Sequence, residues 1–461
     1  MSSRNAKSNG TQAKNGATAE PQSRRFSALR NRNFALLWIG SIISNSGSWM
    51  QIVAQGWLVY EMTDSPVYLG VVGMARALPM MVLPPMGGVV ADRVPRLKLL
   101  KVTQNISLLL ALLLAVLVST GLIQIWQIIL LSFLSGAVNA FDQPTRQALL
   151  PDLVRPADMT NAVALNSAAW QGAALFGPTL AGATLALFGL AAAFYANAAS
   201  FLAVVIALYL MRDVPEHSPH RRAGKRGLFD DLLEGLSYVR ATRLIAALLI
   251  LSAVTNIFGR SFQQLLPVFA RDVLDAGESG LGLLMAAPGA GTLIGAVAIG
   301  AMGDVRRKGV VLFVAMALFS ATLVLFSVSR SFLLSLALLT LAGATMITFS
   351  SMLMTMLQLS APGAMRGRVM SLVTVTMQGF APLGALITGA VATAVGTPTA
   401  VALSALIVAA AALLASLTAH DVRDYRDPSE PEPERKTATP ATEQTLEPAA
   451  ATATSRQPVA D

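Results

Sequence analysis

Long apolar runs separated by short polar connections make up most of the chain between residues 34 and 418. Each run has close to the ~20 residues that an α-helix needs to cross the hydrocarbon core of a bilayer. A helix pairs its backbone polar groups within itself, as lipid requires of a spanning segment. The pattern predicts an all-α membrane protein with twelve transmembrane helices. We place them at 34–60, 66–91, 98–119, 122–145, 159–187, 190–211, 243–271, 277–302, 309–328, 331–357, 367–392 and 397–418.

Composition and charge agree with a membrane protein. Hydrophobic residues make up 54% of the 461 residues and charged residues 13%, against about 25% charged in soluble domains. The net charge of +9 does not indicate nucleic acid binding, because the bases lie in short connections between apolar runs. Most of them follow even-numbered spans, which predicts a cell (inner) membrane protein with both termini cytoplasmic.

A polar, base-rich stretch after the sixth span divides the chain into two halves. Apolar positions at helical spacing in residues 228–239 predict an amphipathic helix on the cytoplasmic surface. The predicted organisation is a disordered basic N-terminus (1–33), a six-helix bundle (34–211), a cytoplasmic linker (212–242), a second six-helix bundle (243–418) and a disordered cytoplasmic tail (419–461).

The two halves repeat a short charged motif. Gly88-Val-Val-Ala-Asp92-Arg93-Val-Pro-Arg96 follows the second span, and a similar motif begins at Gly300, 212 positions later. Two pseudo-repeated six-helix bundles are typical of secondary transporters. The first motif resembles the cytoplasmic signature of the major facilitator superfamily, although Leu97 stands where that family often has a base.

This resemblance implies a cytoplasmic gate. It implies that Asp92 faces the start of helix eleven near Arg368, and that Arg96 reaches Asp142 at the end of helix four. A carboxylate at a helix N-terminus is stabilised by roughly 0.3–1 kcal/mol, which biases a gate without freezing it. The alternative is that these charges only fix the topology. The candidate gate residues are Gly88, Asp92, Arg93, Arg96, Asp142, Gly300, Asp304, Arg306 and Arg368.

Small residues in the fifth span resemble the antiporter motif of exporters in this family. The motif residues are Gly172, Gly177, Pro178 and Gly182, while Ala181 replaces one of the family's glycines. Small residues allow close helix packing and proline bends a helix. The resemblance favours export, and ordinary close packing is the alternative.

Two arginines, Arg76 and Arg260, lie well inside apolar runs. A charge at the bilayer centre costs about 2.5–3.5 kcal/mol on insertion scales, so each needs a reason. Either they contact an anionic substrate group or a charge partner that changes during transport, or they pair with Glu61 or Asp64 or extend towards the headgroups.

Amide side chains inside the spans are further candidates for the substrate cavity. Each one either binds substrate or forms a hydrogen bond between helices. They are Asn45, Gln51, Gln55, Asn139, Gln171, Asn256, Gln263 and Gln378.

Several chemistries are excluded by residue type. The chain has no Cys, and its three His lie in polar connections or the tail, so we expect no metal site, no cofactor and no enzyme active site. Every acid between residues 34 and 420 lies in a connection or near a helix end. Proton coupling is therefore implied by the family resemblance alone, with Asp142, Glu61 and Asp64 as candidate carriers.

Further details resemble one branch of the superfamily, the drug exporters that include enterobactin exporters and macrolide-efflux proteins. They are Gly47-Ser-Trp49-Met-Gln51, Trp57-Leu-Val-Tyr60, Ser65-Pro66 and Asp142-Gln-Pro144-Thr-Arg146. The resemblance implies a monomeric transporter that exports a small amphipathic molecule, drug-like or siderophore-like, by alternating access and proton antiport. Its partners are then the substrate, protons and the bilayer. The alternatives are a lysophospholipid flippase or a nutrient importer of the same fold.

Overall fold

The computed structural model describes residues 27–212, 214, 237–303 and 305–425. These residues form helices at all twelve predicted positions, which confirms the all-α prediction. The helices are α1 (Arg32–Thr63), α2 (Pro66–Val82 followed by Pro84–Arg93), α3 (Arg96–Ser119), α4 (Ile125–Leu153), α5 (Met159–Phe188), α6 (Leu190–Leu210), α7 (Arg243–Val273), α8 (Gly277–Met302), α9 (Lys308–Val328), α10 (Phe332–Ser360), α11 (Gly363–Val395) and α12 (Thr397–Thr418).

Nine of the described helices are long and apolar enough to cross a membrane by length and composition alone. Two more, α2 and α11, contain the shorter apolar stretches Pro66–Val82 and Phe380–Val395. The remaining helix, α1, carries the amides Asn45, Gln51 and Gln55.

Prolines shape two helices differently from the prediction. In α2 the helix is interrupted at Leu83, directly before Pro84 and Pro85, because a proline lacks an N–H and crowds the preceding residue. In α4 the helix runs through Pro144 to Leu153, eight residues beyond the predicted end at 145. The extension brings Asp152 into the helix.

Irregular backbone is concentrated in α7. Regular helix from Arg243 to Val254 gives way to a π-helical segment, Thr255–Gly259, and helix resumes at Phe262. A second π-helical segment, Phe269–Val273, ends the span. Arg260 lies at the interruption between the first π segment and the resumed helix. Such segments occur frequently at functional sites.

The helices pack as two bundles. In the first, α1 packs against α5 and α6, and α3 packs against α4 and α6; in the second, α10 packs against α8 and α9, and α9 against α12. The bundles meet where α2 packs against α11 and where α5 packs against α8. The predicted disordered termini lie largely outside the described residues, as does most of the predicted linker helix, of which residues 237–241 are described and helical.

Candidate functional site

The helix bundle has two ends that differ in charge. We call the end where α2 finishes at Arg93 and α3 begins at Arg96 the base-rich end. We call the end where α1 finishes at Thr63 and α2 begins at Pro66 the opposite end. Odd-numbered helices run from the base-rich end to the opposite end, and even-numbered helices return.

Glycines bring the two bundles into backbone contact near the opposite end. A Cβ built on Gly182 of α5 would lie 2.9 Å from the Cα of Gly282 in α8. A Cβ on Gly70 of α2 would lie 2.7 Å from the Cα of Leu386 in α11. There is no room for a side chain at either crossing, so the helices are held together by close backbone packing.

A cluster of polar residues also joins the bundles at this end. Tyr60 of α1 donates a hydrogen bond to the carboxylate of Asp272 in α7. Arg271 forms an ion pair with Asp64, with a nitrogen–oxygen distance of 2.7 Å, and its guanidinium lies 5.1 Å from the centroid of the Tyr60 ring. We call Tyr60, Asp64, Arg271 and Asp272 the polar latch. It closes the space between α1 and α7.

The sequence prediction missed the polar latch, although a signal for it exists. Tyr60 and Asp272 are separated by 212 positions, which equals the offset between Gly88 and Gly300. The two residues therefore occupy equivalent positions in the repeat. Equivalent positions touch only close to the pseudo-two-fold axis that relates the halves. The repeat offset could therefore have indicated the contact.

At the base-rich end, the predicted pairing of Arg96 with Asp142 is wrong. Arg96 pairs instead with Asp152 at 2.9 Å and also donates to the carbonyl oxygen of Ala148 at 2.9 Å. The physical reason is the longer α4: it carries Asp152 ten positions beyond Asp142, towards the start of α3. The pair lies within the first bundle.

Asp142 instead lies inside the first bundle with its own set of donors. Its side chain is almost fully buried and accepts hydrogen bonds from Thr103 and Gln104, each at 2.7 Å. Arg146, one turn further along α4, lies 3.3 Å from the carboxylate and donates to Ser41 at 2.6 Å. A buried carboxylate of this kind is stabilised only when it is paired and hydrogen-bonded, as here. The network ties α1, α3 and α4 together.

The other gate candidates are described only in part. The surroundings of Gly88, the side chain of Asp92 and all of Asp304 lie outside what the structure describes. Arg93 and Arg306 are exposed, and open space surrounds Gly300. Arg368 is partly buried, with Nη1 3.2 Å from the sulfur of Met365. Their role in gating stays a prediction.

The residues of the antiporter-like motif contact different helices. Gly177 and Pro178 are buried, and a Cβ on Gly177 would lie 2.5 Å from the Cβ of Trp49 in α1. Gly182 meets α8 of the other bundle, while a Cβ added to Gly172 would meet no atom within 4 Å. Close packing therefore explains two of the three glycines, and Gly182 is the one at the interface between the bundles.

Four of the candidate cavity amides form hydrogen bonds within the protein. Gln55 donates to Ser132 at 2.7 Å, and Gln51 accepts a hydrogen bond from Asn197. Asn139 and Asn256 donate to backbone carbonyls one turn earlier in their own helices. Among the described residues, three further candidates have no side-chain hydrogen bond; these are Asn45, Gln171 and Gln263. The side chain of Gln378 lies outside the described residues.

The two membrane arginines have no charge partner in the described part of the chain. Asp64 pairs with Arg271, so it does not neutralise Arg76 or Arg260. Both arginines are partly buried. The structure therefore does not show the alternative in which Arg76 or Arg260 pairs with Asp64.

Two helical bundles that meet at α2–α11 and α5–α8, with glycine crossings and charged residues at the ends, are the arrangement of the major facilitator type of transporter. The sequence profile of the family described as transmembrane secretion effector matches residues 23–449. The chain belongs to this family. It is a multi-pass membrane protein of a transporter family.

Three bacterial transporters are similar to the chain in sequence. It is 28% identical over 244 residues to a staphyloferrin A transporter of Staphylococcus aureus, covering 52% of this chain and 59% of the relative. It is 23% identical to the multidrug efflux pump Tap of Mycolicibacterium fortuitum, covering 78% and 89%. It is 19% identical to a macrolide efflux protein A of Streptococcus pyogenes, covering 79% and 90%. The staphyloferrin A transporter is thus matched over less than two thirds of its length.

Solved structures share the fold. A bacterial homologue of the human lysosomal transporter Spinster, in an inward-facing conformation, superposes with a TM-score of 0.67 at 15% identity. The match covers 86% of this chain and 98% of that structure. The nucleoside transporter NupG superposes with a TM-score of 0.66 at 13% identity, covering 84% and 98%. At these identities the comparison shows the fold alone.

Proposed function

We propose that this protein exports a small amphipathic molecule, drug-like or siderophore-like, from the cytoplasm by alternating access. The base-rich end and both termini are cytoplasmic in this proposal, as the distribution of Lys and Arg predicts. Relatives named for staphyloferrin A transport, multidrug efflux and macrolide efflux support export.

The observation that carries the proposal is the closure of the opposite end. The glycine crossings and the polar latch join the bundles there. At the base-rich end, Arg96 pairs with Asp152 of its own bundle. Rigid bundles that close at one end separate at the other when they rock about a central site. These features support an inward-facing state, in which an exporter receives its substrate from the cytoplasm.

Proton antiport is the coupling that we propose, with Asp142 as the proton carrier. Of the three acids considered as carriers, Glu61 and Asp64 are exposed and Asp142 is buried. The Asp142 carboxylate is held by Thr103, Gln104 and Arg146. The donors come from different helices, so a shift of α3 against α4 would alter the environment of the carboxylate. We propose a monomer as the working unit.

Transport into everted membrane vesicles tests the proposal directly. The base-rich end then faces the medium, and acidifying the vesicle interior should drive accumulation of a macrolide, a cationic dye or a carboxylate siderophore. Asp92→Asn serves as the inactive comparison, because the gate motif predicts severe loss of transport with normal membrane insertion. Asp142→Asn should transport at a rate that no longer depends on the proton gradient.

The direction of flux separates the alternatives. Accumulation only in right-side-out vesicles would identify an importer, and movement of lysophospholipid between leaflets would identify a flippase. Transport by Asp92→Asn within twofold of the parent contradicts the gate. A proton-dependent rate in Asp142→Asn contradicts the proposed carrier.

A further inference from the structure

Arg76 and Arg260 belong to different bundles but lie at a similar depth. Arg76 is ten positions after Pro66, so it lies roughly 15 Å from the opposite end. Arg260 is thirteen positions before Val273, or roughly 20 Å from the same end. Both therefore lie beneath the polar latch and near the middle of a ~30 Å hydrocarbon core.

The second half of α7 contacts the first bundle, and Arg260 lies just before it. Arg271 reaches Asp64 of α1. A Cβ on Gly56 of α1 would lie 3.3 Å from Pro267, and one on Gly73 of α2 would lie 3.5 Å from Gln264. Gln264 and Pro267 are three residues apart in the regular helix Phe262–Val268, so they share a face, and Arg260 lies four residues before Gln264 at the interruption of the helix.

The part of α2 that precedes Arg76 contacts the second bundle. A Cβ on Gly70 would contact Leu386 of α11, and one on Gly73 would contact Gln264 of α7. Arg76 lies three residues after Gly73, where its backbone packs against α4 of the first bundle: a Cβ on Gly136 would lie 3.2 Å from the Cα of Arg76. Gln264 and Gly73 thus mark a contact between the bundles. Each arginine lies about one turn from that contact, towards the base-rich end.

Neither guanidinium has a counter-charge or a hydrogen-bond partner among the described residues. The surroundings of Arg260 contain further unsatisfied polar atoms: Thr255 Oγ1 and Asn256 Oδ1 are buried without a hydrogen-bond partner in the described part of the chain. Both lie in the π-helical segment that leads to Arg260. Unpaired charge and interrupted helix at the membrane midplane are features of substrate sites in transporters.

We propose that Arg76 and Arg260 together bind a small organic molecule that carries at least two acidic groups. This inference rests on the proposed function and names the substrate class of that central site. A guanidinium offers a planar fork of donors that matches a carboxylate or a phosphate in a bidentate manner. One acidic group on each arginine neutralises both, and the ligand then bridges the two bundles. The same pair of positive charges disfavours cationic drugs.

Thermal unfolding of the purified full chain in lipid nanodiscs tests the site without a transport assay. The probes are citrate and 3-phosphoglycerate, with acetate and tetraphenylphosphonium as comparisons, all at constant ionic strength. A ligand that binds the folded state raises the Tm with its concentration. Citrate or 3-phosphoglycerate should raise the Tm of the parent, and acetate and tetraphenylphosphonium should not.

Substitutions locate the binding. Arg76→Gln and Arg260→Gln should each weaken the apparent affinity for the stabilising anion at least tenfold, and the Lys variants should be intermediate because they keep the charge but lose the fork. Arg155→Gln is the matched control, since Arg155 is exposed and pairs with Asp158 at 3.1 Å at the base-rich end. It should bind like the parent.

The Tm of each variant without ligand provides a second readout. Removing an unpaired charge from a membrane site should leave the Tm of each Gln variant equal to or above that of the parent, whereas loss of a structural contact would lower it. The proposal is overturned if neither organic anion stabilises the parent, if acetate or tetraphenylphosphonium stabilises it equally, or if both Gln variants bind like Arg155→Gln. Export of a neutral or cationic compound by the parent, at a rate that Arg76→Gln and Arg260→Gln share, would overturn this site while leaving the proposed exporter intact.

Discussion

The two ends of the helix bundle differ in where their charged and small residues find partners. At the opposite end the partners lie in different bundles: Gly182 meets Gly282, and Arg271 meets Asp64. At the base-rich end the described pair of Arg96 and Asp152 lies within the first bundle. In the described part of the chain, the contacts at the opposite end therefore join the bundles, whereas the pair of Arg96 and Asp152 ties α3 to α4.

These contacts also differ in how strongly they resist opening. Where two helix backbones touch at glycines, a larger side chain does not fit, because protein interiors are closely packed. The ion pair between Arg271 and Asp64 is largely exposed, with 37% and 73% of the side chains accessible, and such pairs contribute only about 0.2–1 kcal/mol. In the proposed transport cycle, the glycines determine whether the opposite end can close, and the polar latch adjusts how often it is closed.

The largest expected effect comes from filling the crossing between α5 and α8. Gly182→Val places a branched side chain where even a Cβ would lie 2.9 Å from the Cα of Gly282, so the opposite end cannot close. We expect transport at least tenfold slower than in the parent. The chain has no native Cys, so Gln264→Cys provides a single label beneath the polar latch. A membrane-impermeant maleimide added from the opposite side should label it at least tenfold faster.

Gly172→Val is the matched control in the same helix. It carries the same cost of a β-branched residue in a helix, but no neighbour lies within 4 Å of the new Cβ. It should transport and be labelled like the parent. If both glycine variants lose transport equally, the antiporter-like motif acts through α5 itself and not through closure of the opposite end.

A smaller effect is expected at the base-rich end, where the structure changes the predicted partner of Arg96. In a double-mutant cycle on thermal stability, Arg96→Gln and Asp152→Asn should show a coupling of roughly 0.5–3 kcal/mol, the range for residues in contact. The cycle of Arg96→Gln with Asp142→Asn should show less than about 0.5 kcal/mol. A larger coupling to Asp142 than to Asp152 would contradict the ion pair.

The fold could be predicted from the sequence because the length of each apolar run by itself indicates a membrane-spanning helix. The predicted α5 (159–187) and α8 (277–302) agree closely with Met159–Phe188 and Gly277–Met302. Where the prediction differs, the cause is proline: α4 continues through Pro144, and α2 is interrupted before Pro84. A proline indicates a local irregularity, but packing of the surrounding helices decides whether the helix ends there.

Only those residues of the candidate site whose type is unusual at its place in the sequence could be predicted. Arg76 and Arg260 stand out in the sequence because a charge inside an apolar run is conspicuous, and the structure places both beside the same contact of α2 with α7. The polar latch escapes sequence reasoning because Tyr60 and Asp272 are ordinary residues at helix ends. Only the alignment of the two halves brings them together.

The smallest expected effect comes from the polar latch, and it tests whether closure depends on charge. Arg271→Gln removes the ion pair with Asp64 but leaves the hydrogen bond of Tyr60 to Asp272. A loss of about 0.2–1 kcal/mol changes the ratio of closed to open molecules by at most about fivefold. Labelling of Gln264→Cys from the opposite side should rise by that factor at low ionic strength. The difference from the parent should shrink at 1 M salt, where the screening length is about 3 Å. Tyr60→Phe should give a similar increase that does not depend on salt, because it removes a neutral donor. Equal labelling of all three proteins at every salt concentration would show that the glycine crossings alone hold this end closed.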